Sequence, residues 1–126
     1  MLGGWMTQRT RMTLLTVTAT AMSWSTLALA HASLRAADPT PNATVGAVRR
    51  IHLQFSETIA ERFSSLRLTD TDGNPVPLMS LPARDASSLD AMPTSRLAAG
   101  VYTVSWTAVS TDDGHRTSGS YSFTVR

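Results

Sequence analysis

The chain has 126 residues, with eleven arginines, no lysine and no cysteine. This length predicts a single domain, and the lack of cysteine excludes disulfides, cysteine-ligated zinc, iron–sulfur clusters and thiol catalysis. The formal charge of +2 comes from Arg9 and Arg11, because the other nine arginines balance nine Asp and Glu. The composition therefore provides no electrostatic argument for binding nucleic acid or an anionic membrane.

Residues 1–30 have the features of a cleavable signal peptide. Arg9 and Arg11 precede an uncharged, moderately apolar run, and Ala28-Leu29-Ala30 has the small-x-small pattern that signal peptidase cuts. An uncleaved N-terminal anchor is the alternative, but Ser and Thr interrupt the run too often for a typical span. Cleavage after Ala30 would leave residues 31–126 as one exported domain that begins at His31.

Residues 31–126 predict an all-β fold of the sandwich type, with short alternating strands between turns. Residues 49–56, 65–70, 100–110 and 118–126 alternate apolar and polar side chains. The inward positions are predicted to be Ile51, Leu53, Phe55, Leu66, Leu68, Tyr102, Val104, Trp106, Ala108, Tyr121, Phe123 and Val125.

The middle of the chain has weaker signals. Residues 70–75, "DTDGNP", predict a turn. Residues 76–78 could resume as a strand, although Pro77 confines it to a sheet edge. Residues 79–95 have little periodicity and predict mostly loop, with room for one short strand.

An Asp-Gly-His sequence lies in the loop between the last two predicted strands. Asp113 and His115 stand at i and i+2, and Gly114 lets the backbone turn so that both side chains can converge. A solvated turn is the alternative interpretation, since Asp-Gly is common turn chemistry. His52 lies on the polar face of a strand and is interpreted as a surface histidine.

An N-terminal histidine changes the interpretation of this loop. After cleavage His31 would carry an α-amine and an imidazole, which can chelate one metal through the amine and Nδ1. Asp113 and His115 would add one oxygen and one nitrogen, and tetragonal N,O coordination suits Cu(II). The α-amine titrates near pH ~8, low enough to lose its proton to a metal.

These motifs together resemble the CopC family of periplasmic copper-binding proteins. The matching segments are "HASLRAADPTPNATV", "LQFSE" and "GVYTVSWTAVSTDDGHRTSGSYSFTV", which span most of residues 31–126. The resemblance implies a Greek-key, immunoglobulin-like β-sandwich and one Cu(II) held by His31, Asp113 and His115. It also implies periplasmic copper homeostasis or resistance, with an inner-membrane transporter of the CopD type as a partner.

Two features leave alternatives open. Glu57, in "FSE", would either bring a carboxylate near the metal or its outer shell, or serve as a turn carboxylate. Some family members have a methionine-rich Cu(I) site, whereas this region holds only Met79 and Met92. Two scattered methionines are typical of core packing, so the Cu(I) site is predicted to be absent.

Three function classes are compatible with these observations. The favoured one is a non-enzymatic copper carrier or sequestering protein. A copper monooxygenase with a histidine brace is less favoured, because a carboxylate in the equatorial plane stabilises Cu(II) and leaves less room for dioxygen. A metal-free immunoglobulin-like module would leave the position of His31 and the Asp-Gly-His loop as coincidences.

Overall fold

The computed structural model describes residues 3–4 and 32–126. The predicted signal peptide and its cleavage point therefore lie outside the described residues, apart from Gly3 and Gly4. The described residues form nine β-strands and one turn of 3-10 helix, Glu61–Phe63. The strands are β1 Leu34–Asp38, β2 Thr44–Val45, β3 Ile51–Phe55, β4 Ser65–Thr69, β5 Pro75–Val76, β6 Leu78–Leu81, β7 Ser88–Pro93, β8 Gly100–Val109 and β9 Arg116–Val125.

The strands form two sheets, which confirms the predicted all-β sandwich. One sheet has the order β1-β3-β7-β6, and the other has the order β2-β9-β8-β4-β5. Their pairings are antiparallel except for that of β2 with β9. The ten-residue strands β8 and β9 pair along their whole length, so the loop between them projects from one end of the sandwich.

The core lies between the sheets and follows the predicted alternation. On β3, Ile51, Leu53 and Phe55 are buried while His52 and Gln54 face outward. Residues of the facing sheet complete the core, with Leu68, Val104 and Phe123 almost fully buried. Period-two patterning was sufficient to identify these positions because each strand has one face on the core.

The sheet-edge position predicted for the segment around Pro77 is confirmed, but the prediction for residues 76–95 was otherwise wrong in two ways. β5 and β6 flank Pro77 but belong to different sheets, each as an edge strand. β7 is a six-residue strand inside the four-stranded sheet, where a loop with at most one short strand was expected. The sequence signal of β7 is short because the alternation of Ser88-Leu89-Asp90-Ala91 ends at Met92 and Pro93. Ser88 and Asp90, on the outer face of β7, are themselves buried.

No helix in residues 3–4 and 32–126 is both long enough and apolar enough to cross a membrane.

Trp106 packs between a glycine and a phenylalanine. Its ring meets Phe55 edge to face, with ring centroids 5.0 Å apart. Gly119 is its cross-strand partner on β9. A Cβ at Gly119 would lie 2.6 Å from Cζ2 and 2.9 Å from Cε2 of the Trp106 ring. Glycine is needed here because the indole occupies the space that a side chain would take.

Gly119→Ala is expected to lower the free energy of unfolding by about 1–3 kcal/mol, because the added methyl displaces the indole from Phe55. Urea denaturation measures the effect. Ser120→Ala, at the exposed neighbouring position, is the matched control and should change stability by less than about 0.5 kcal/mol. Equal stability of Gly119→Ala and wild type would show that the ring moves without cost.

Candidate metal centre

The loop between β8 and β9 is a tight turn held by its own backbone. Gly114 has φ of +68°, a conformation that favours glycine. Its N–H donates to the carbonyl of Ser110 at 3.0 Å, and the Ser110 N–H donates to the carbonyl of His115 at 2.9 Å. This geometry confirms the prediction that Gly114 lets the flanking side chains converge.

Asp113 and His115 are brought into direct contact. Asp113 Oδ2 lies 3.0 Å from His115 Nδ1, and Asp113 Oδ1 accepts the backbone N–H of His115 at 2.9 Å. The two side chains stay accessible, with 47% of His115 and 36% of Asp113 exposed. A metal bound through Nε2 would preserve the imidazole–carboxylate contact, which orients the ring. A metal bound directly by the carboxylate would replace that contact.

The hydrogen bonds around Asp113 favour its charged form. The backbone N–H of His115 is the largest influence and lowers the pKa of Asp113, and the contact with the His115 ring adds to it. Partial desolvation works in the opposite direction without cancelling these effects. Asp113 therefore stays an anionic oxygen donor well below neutral pH.

The segment that precedes β1 is fixed beside this loop. Ala32 is only 1% exposed, and its carbonyl accepts a 2.6 Å hydrogen bond from Thr117 Oγ1, two residues after His115. Ser33 exchanges hydrogen bonds with Ser56 at the end of β3: its N–H donates to Ser56 Oγ at 2.9 Å, and its carbonyl accepts the Ser56 N–H at 2.8 Å. Residues 32–33 are thus held between the end of β3 and the start of β9.

Ser56 and Thr117 were not identified as functional by sequence. Both lie within segments quoted for the family resemblance, "LQFSE" and the segment that ends "RTSGSYSFTV". Only their location within these segments could have indicated that they anchor residues 32–33, because a single serine or threonine has no distinctive sequence pattern.

Glu57 follows Ser56 at the same end of the sandwich. Its Oε1 is buried and has no hydrogen-bond partner within the described residues. Burying a carboxylate oxygen without a hydrogen-bond donor costs free energy of folding. Glu57 Oε1 is such an unsatisfied acceptor at this end of the sandwich. The observation weakens the interpretation of Glu57 as an ordinary solvated turn carboxylate.

The predicted donor set is only partly described. His31 lies outside the described residues. Within residues 3–4 and 32–126, no group of three His, Asp or Glu side chains is arranged to hold a metal. The structure thus describes Asp113 and His115 as a pair, and the ligand assignment remains a prediction.

The interpretation of His52 as a surface histidine needs correction. Its side chain is only 16% exposed, and Nδ1 lies 3.0 Å from Oδ1 of Asp90, whose side chain is fully buried. Arg50 forms an ion pair with the other oxygen of Asp90, and Arg84 approaches it at 3.7 Å. The sequence could not show this because Asp90 lies on β7, which was predicted as loop. His52 is a structural residue on the outer face of the four-stranded sheet.

This network makes a pH-dependent contribution to stability. Burial alone would raise the pKa of Asp90, but hydrogen bonds from His52 and Arg50 outweigh it and hold the pKa below its usual value. A lowered carboxyl pKa stabilises the fold above the unfolded-state pKa of ~3.9, and this stabilisation is lost as the pH falls through the folded-state pKa.

Asp90→Asn is expected to lower the free energy of unfolding at pH 7 by about 1–3 kcal/mol, because it leaves the charges of Arg50 and Arg84 without their buried partner. Urea denaturation between pH 7 and pH 2 measures it. The gap to wild type should shrink as the pH drops below ~4, where wild-type Asp90 also loses its charge. A gap that is independent of pH would contradict the assignment. Asp72→Asn, at an exposed carboxylate in the turn between β4 and β5, is the control.

These features define the molecule as an immunoglobulin-like β-sandwich with a histidine–carboxylate pair beside its anchored N-terminal segment. Residues 34–126 match the CopC domain. The chain is 36% identical over 107 residues to copper resistance protein C of Escherichia coli, covering 79% of this chain and 84% of that protein. Copper resistance protein C of Xanthomonas campestris pv. juglandis is 37% identical over 109 residues, covering 81% and 85%.

Solved structures agree with this relationship. PcoC, described as a methionine-rich copper resistance protein from Escherichia coli, superposes with a TM-score of 0.71 at 37% identity, over 77% of this chain and all of PcoC. CopC from Methylosinus trichosporium OB3b superposes with a TM-score of 0.67 at 30% identity, over 75% and 93% of the two chains. The chain therefore belongs to the CopC family.

Proposed function

We propose that this protein is an exported, periplasmic copper-binding protein of copper homeostasis or resistance. It binds one Cu(II) with the α-amine and imidazole of His31, exposed by cleavage after Ala30, together with Asp113 and His115. The observation that carries the proposal is the anchoring of residues 32–33 between Ser56 and Thr117, beside the Asp113–His115 loop.

Covalent geometry limits where the chelating residue can be. Residue 31 is bonded to Ala32, so its Cα lies about 3.8 Å from that of Ala32. Ala32 is hydrogen-bonded to Thr117, two residues from His115. These contacts of Ala32 support the proposal that an amine and imidazole on residue 31 reach the loop. Three nitrogens and one carboxylate oxygen make a donor set suited to Cu(II).

Glu57 is assigned a supporting role in this site. Its buried Oε1 has no partner among residues 32–126, and it stands one residue beyond Ser56, which is bonded to Ser33. A protonated amine in the apo protein, or an outer-shell donor in the copper form, would satisfy this oxygen. Outer-shell carboxylates commonly orient metal ligands in this way.

Copper is proposed as cargo, not as the cofactor of an enzyme. The curated relatives are named copper resistance proteins, and an anionic Asp113 in the equatorial plane would favour Cu(II) over dioxygen chemistry. A CopD-type inner-membrane transporter is the proposed partner. Whether this transporter gives copper to the protein or receives copper from it would be determined by measuring the direction of copper transfer.

The two methionines require one correction. They are not scattered, because Met79 and Met92 are direct cross-strand partners on β6 and β7, and Met79 is 51% exposed. The pair provides only two neutral thioether donors, one of which is on an exposed edge strand. The related PcoC is described as methionine-rich, whereas this region is not, so Cu(I) is proposed to bind weakly.

Titration of the exported apo protein with copper tests this proposal. One equivalent of Cu(II) should bind, and its electron paramagnetic resonance spectrum should be axial with hyperfine coupling to nitrogen, while Cu(I) should be lost to a competing chelator. Met79→Leu together with Met92→Leu should leave Cu(II) binding unchanged. Failure to bind Cu(II) would refute the function. Tight Cu(I) binding that the double variant loses would refute the Cu(II)-only assignment.

A further inference from the structure

The outer face of the five-stranded sheet carries a concave, positively charged surface that the copper site does not use. Pairs of hydroxyl side chains cross β8 and β9 here, with Thr103 Oγ1 3.2 Å from Ser122 Oγ and Thr107 Oγ1 3.1 Å from Ser118 Oγ. Next to them lies a cavity of about 640 Å³. We call it the arginine trough, and its principal lining residues are Arg67, Arg116, Phe63, Ser105, Ser118 and Ser120.

The arginine trough has positive charge that the protein itself does not neutralise. Its lining contains two guanidinium groups and no carboxylate. Within residues 32–126, the arginines that form ion pairs are Arg50 and Arg84, both with Asp90, so Arg67 and Arg116 have no acidic partner there. Guanidinium groups pair strongly with carboxylates because two parallel N–H groups can donate to both oxygens.

The shape and the apolar edge of the trough suit a polypeptide segment. Phe63, on the 3-10 turn, is 64% exposed and forms one side of the cavity, which is unusual for a large aromatic side chain. The volume falls within the ~300–1,000 Å³ typical of binding clefts. The two cationic side chains also make the trough unsuitable as a second copper site.

The position of the trough connects it to copper exchange. Arg116 directly follows His115, so a segment bound across the trough would end beside the proposed metal site. We propose that the arginine trough docks an acidic segment, with clustered Asp or Glu around an apolar residue, of the protein that exchanges copper with this one. This inference rests on the proposed function for its role, although docking itself does not require copper.

Nuclear magnetic resonance titration of the exported apo protein tests the docking. The probe is the blocked peptide acetyl-Glu-Asp-Leu-Asp-Glu-amide, compared with acetyl-Gln-Asn-Leu-Asn-Gln-amide. The acidic peptide should shift the amide signals of Ser105, Thr107, Ser118 and Ser120, and the neutral peptide should not. Shifts spread evenly over both sheets, or equal shifts with both peptides, would overturn the proposal.

Paired charge-removal variants make the test specific. Arg67→Ala with Arg116→Ala should weaken peptide binding at least about 10-fold. Arg49→Ala with Arg96→Ala removes the same charge from a different cavity, which those two arginines line, and should change binding less than about 2-fold. Arg67→Lys with Arg116→Lys, a milder change, should bind with intermediate affinity. Equal weakening by the two alanine pairs would show unspecific charge attraction and overturn the proposal.

Copper titration of the same proteins separates the two hypotheses. The Arg67→Ala and Arg116→Ala pair should bind one Cu(II) as wild type does. If wild type fails to bind Cu(II) but still binds the acidic peptide at the trough, the proposed function falls and the docking surface stands. If copper binds and the peptide does not, the docking inference alone falls.

Discussion

One additional residue in front of His31 is expected to weaken Cu(II) binding by more than about 100-fold, beyond the ~10–100-fold typical of outer-shell changes. The extra residue converts the α-amine into an amide, which removes one nitrogen donor and the chelate ring with the imidazole. Competition with a Cu(II) chelator of known affinity measures the loss. The folded structure should be unaffected, because the hydrogen bonds of Ala32 and Ser33 do not involve this amine.

The absence of lysine provides a control for this experiment without mutation. After cleavage at Ala30 the α-amine of His31 would be the single primary amine of the protein. With a pKa near ~8 it is substantially neutral, and therefore reactive, at pH ~8. Acylation should be fast in the apo protein and slow in the copper form, and acetylated protein should lose tight binding. Labelling that copper does not slow would mean that side chains alone hold the metal.

His115→Ala is expected to reduce Cu(II) affinity by more than about 100-fold, because it removes the loop's nitrogen donor. The fold should be retained, since the side chain is about half exposed. Chelator competition measures affinity, and a change in the nitrogen hyperfine pattern of the electron paramagnetic resonance spectrum, from three coupled nitrogens to two, identifies the donor. Wild-type affinity in His115→Ala would refute the assignment.

Asp113→Ala decides between two roles for the carboxylate. If Asp113 ligates copper, as proposed, the loss should also exceed ~100-fold, whereas an orienting partner of His115 would cost ~10–100-fold. The observed 3.0 Å contact with His115 Nδ1 makes the second role a real alternative in the copper form. Asp112→Ala, at the adjacent exposed carboxylate, is the matched control and should leave affinity unchanged.

His52→Ala tests whether Cu(II) binding depends on the particular histidines of the proposed site. It should leave Cu(II) affinity unchanged, since His52 is bonded to Asp90 on the outer face of the other sheet. It should also lower stability, because Asp90 loses a hydrogen bond within its buried network. Affinity is therefore compared at a temperature where both proteins are folded. Weaker copper binding by the folded variant would place His52 in the site.

The predictability of the fold depended on how each strand is buried. β3, β4, β8 and β9 were identified because one face meets the core and the other meets solvent, so polarity alternates. For β7 the sequence allowed only one short strand at an unspecified place, because the alternation of Ser88-Leu89-Asp90-Ala91 covers four residues and ends at Met92 and Pro93. Residues 76–78 were predicted as one possible edge strand because the sequence does not show that the chain passes from one sheet to the other at Pro77.

The local part of the candidate site was predictable from sequence, whereas the position of residues 32–33 beside it was not. Asp113, Gly114 and His115 are close in sequence, and their convergence follows from local backbone geometry. The proximity of residues 32–33 to the loop depends on hydrogen bonds to Ser56 and Thr117, which are 23 and 85 residues away from their partners. No local pattern predicts contacts at such separations.

The sequence by itself determined the fold class, the family motifs and the local Asp113–His115 pair, because each depends on alternation or on spacing within a few residues. Only the tertiary structure decided that His52 forms a hydrogen bond with the buried carboxylate of Asp90 and that residues 32–33 lie beside the Asp113–His115 loop. It also decided that Met79 faces Met92 and that Arg67 and Arg116 line one trough. The physical reason is that strand pairing and sheet stacking set these distances. Both bring together residues that are far apart in the chain, and nothing in the local sequence shows that such residues are in contact.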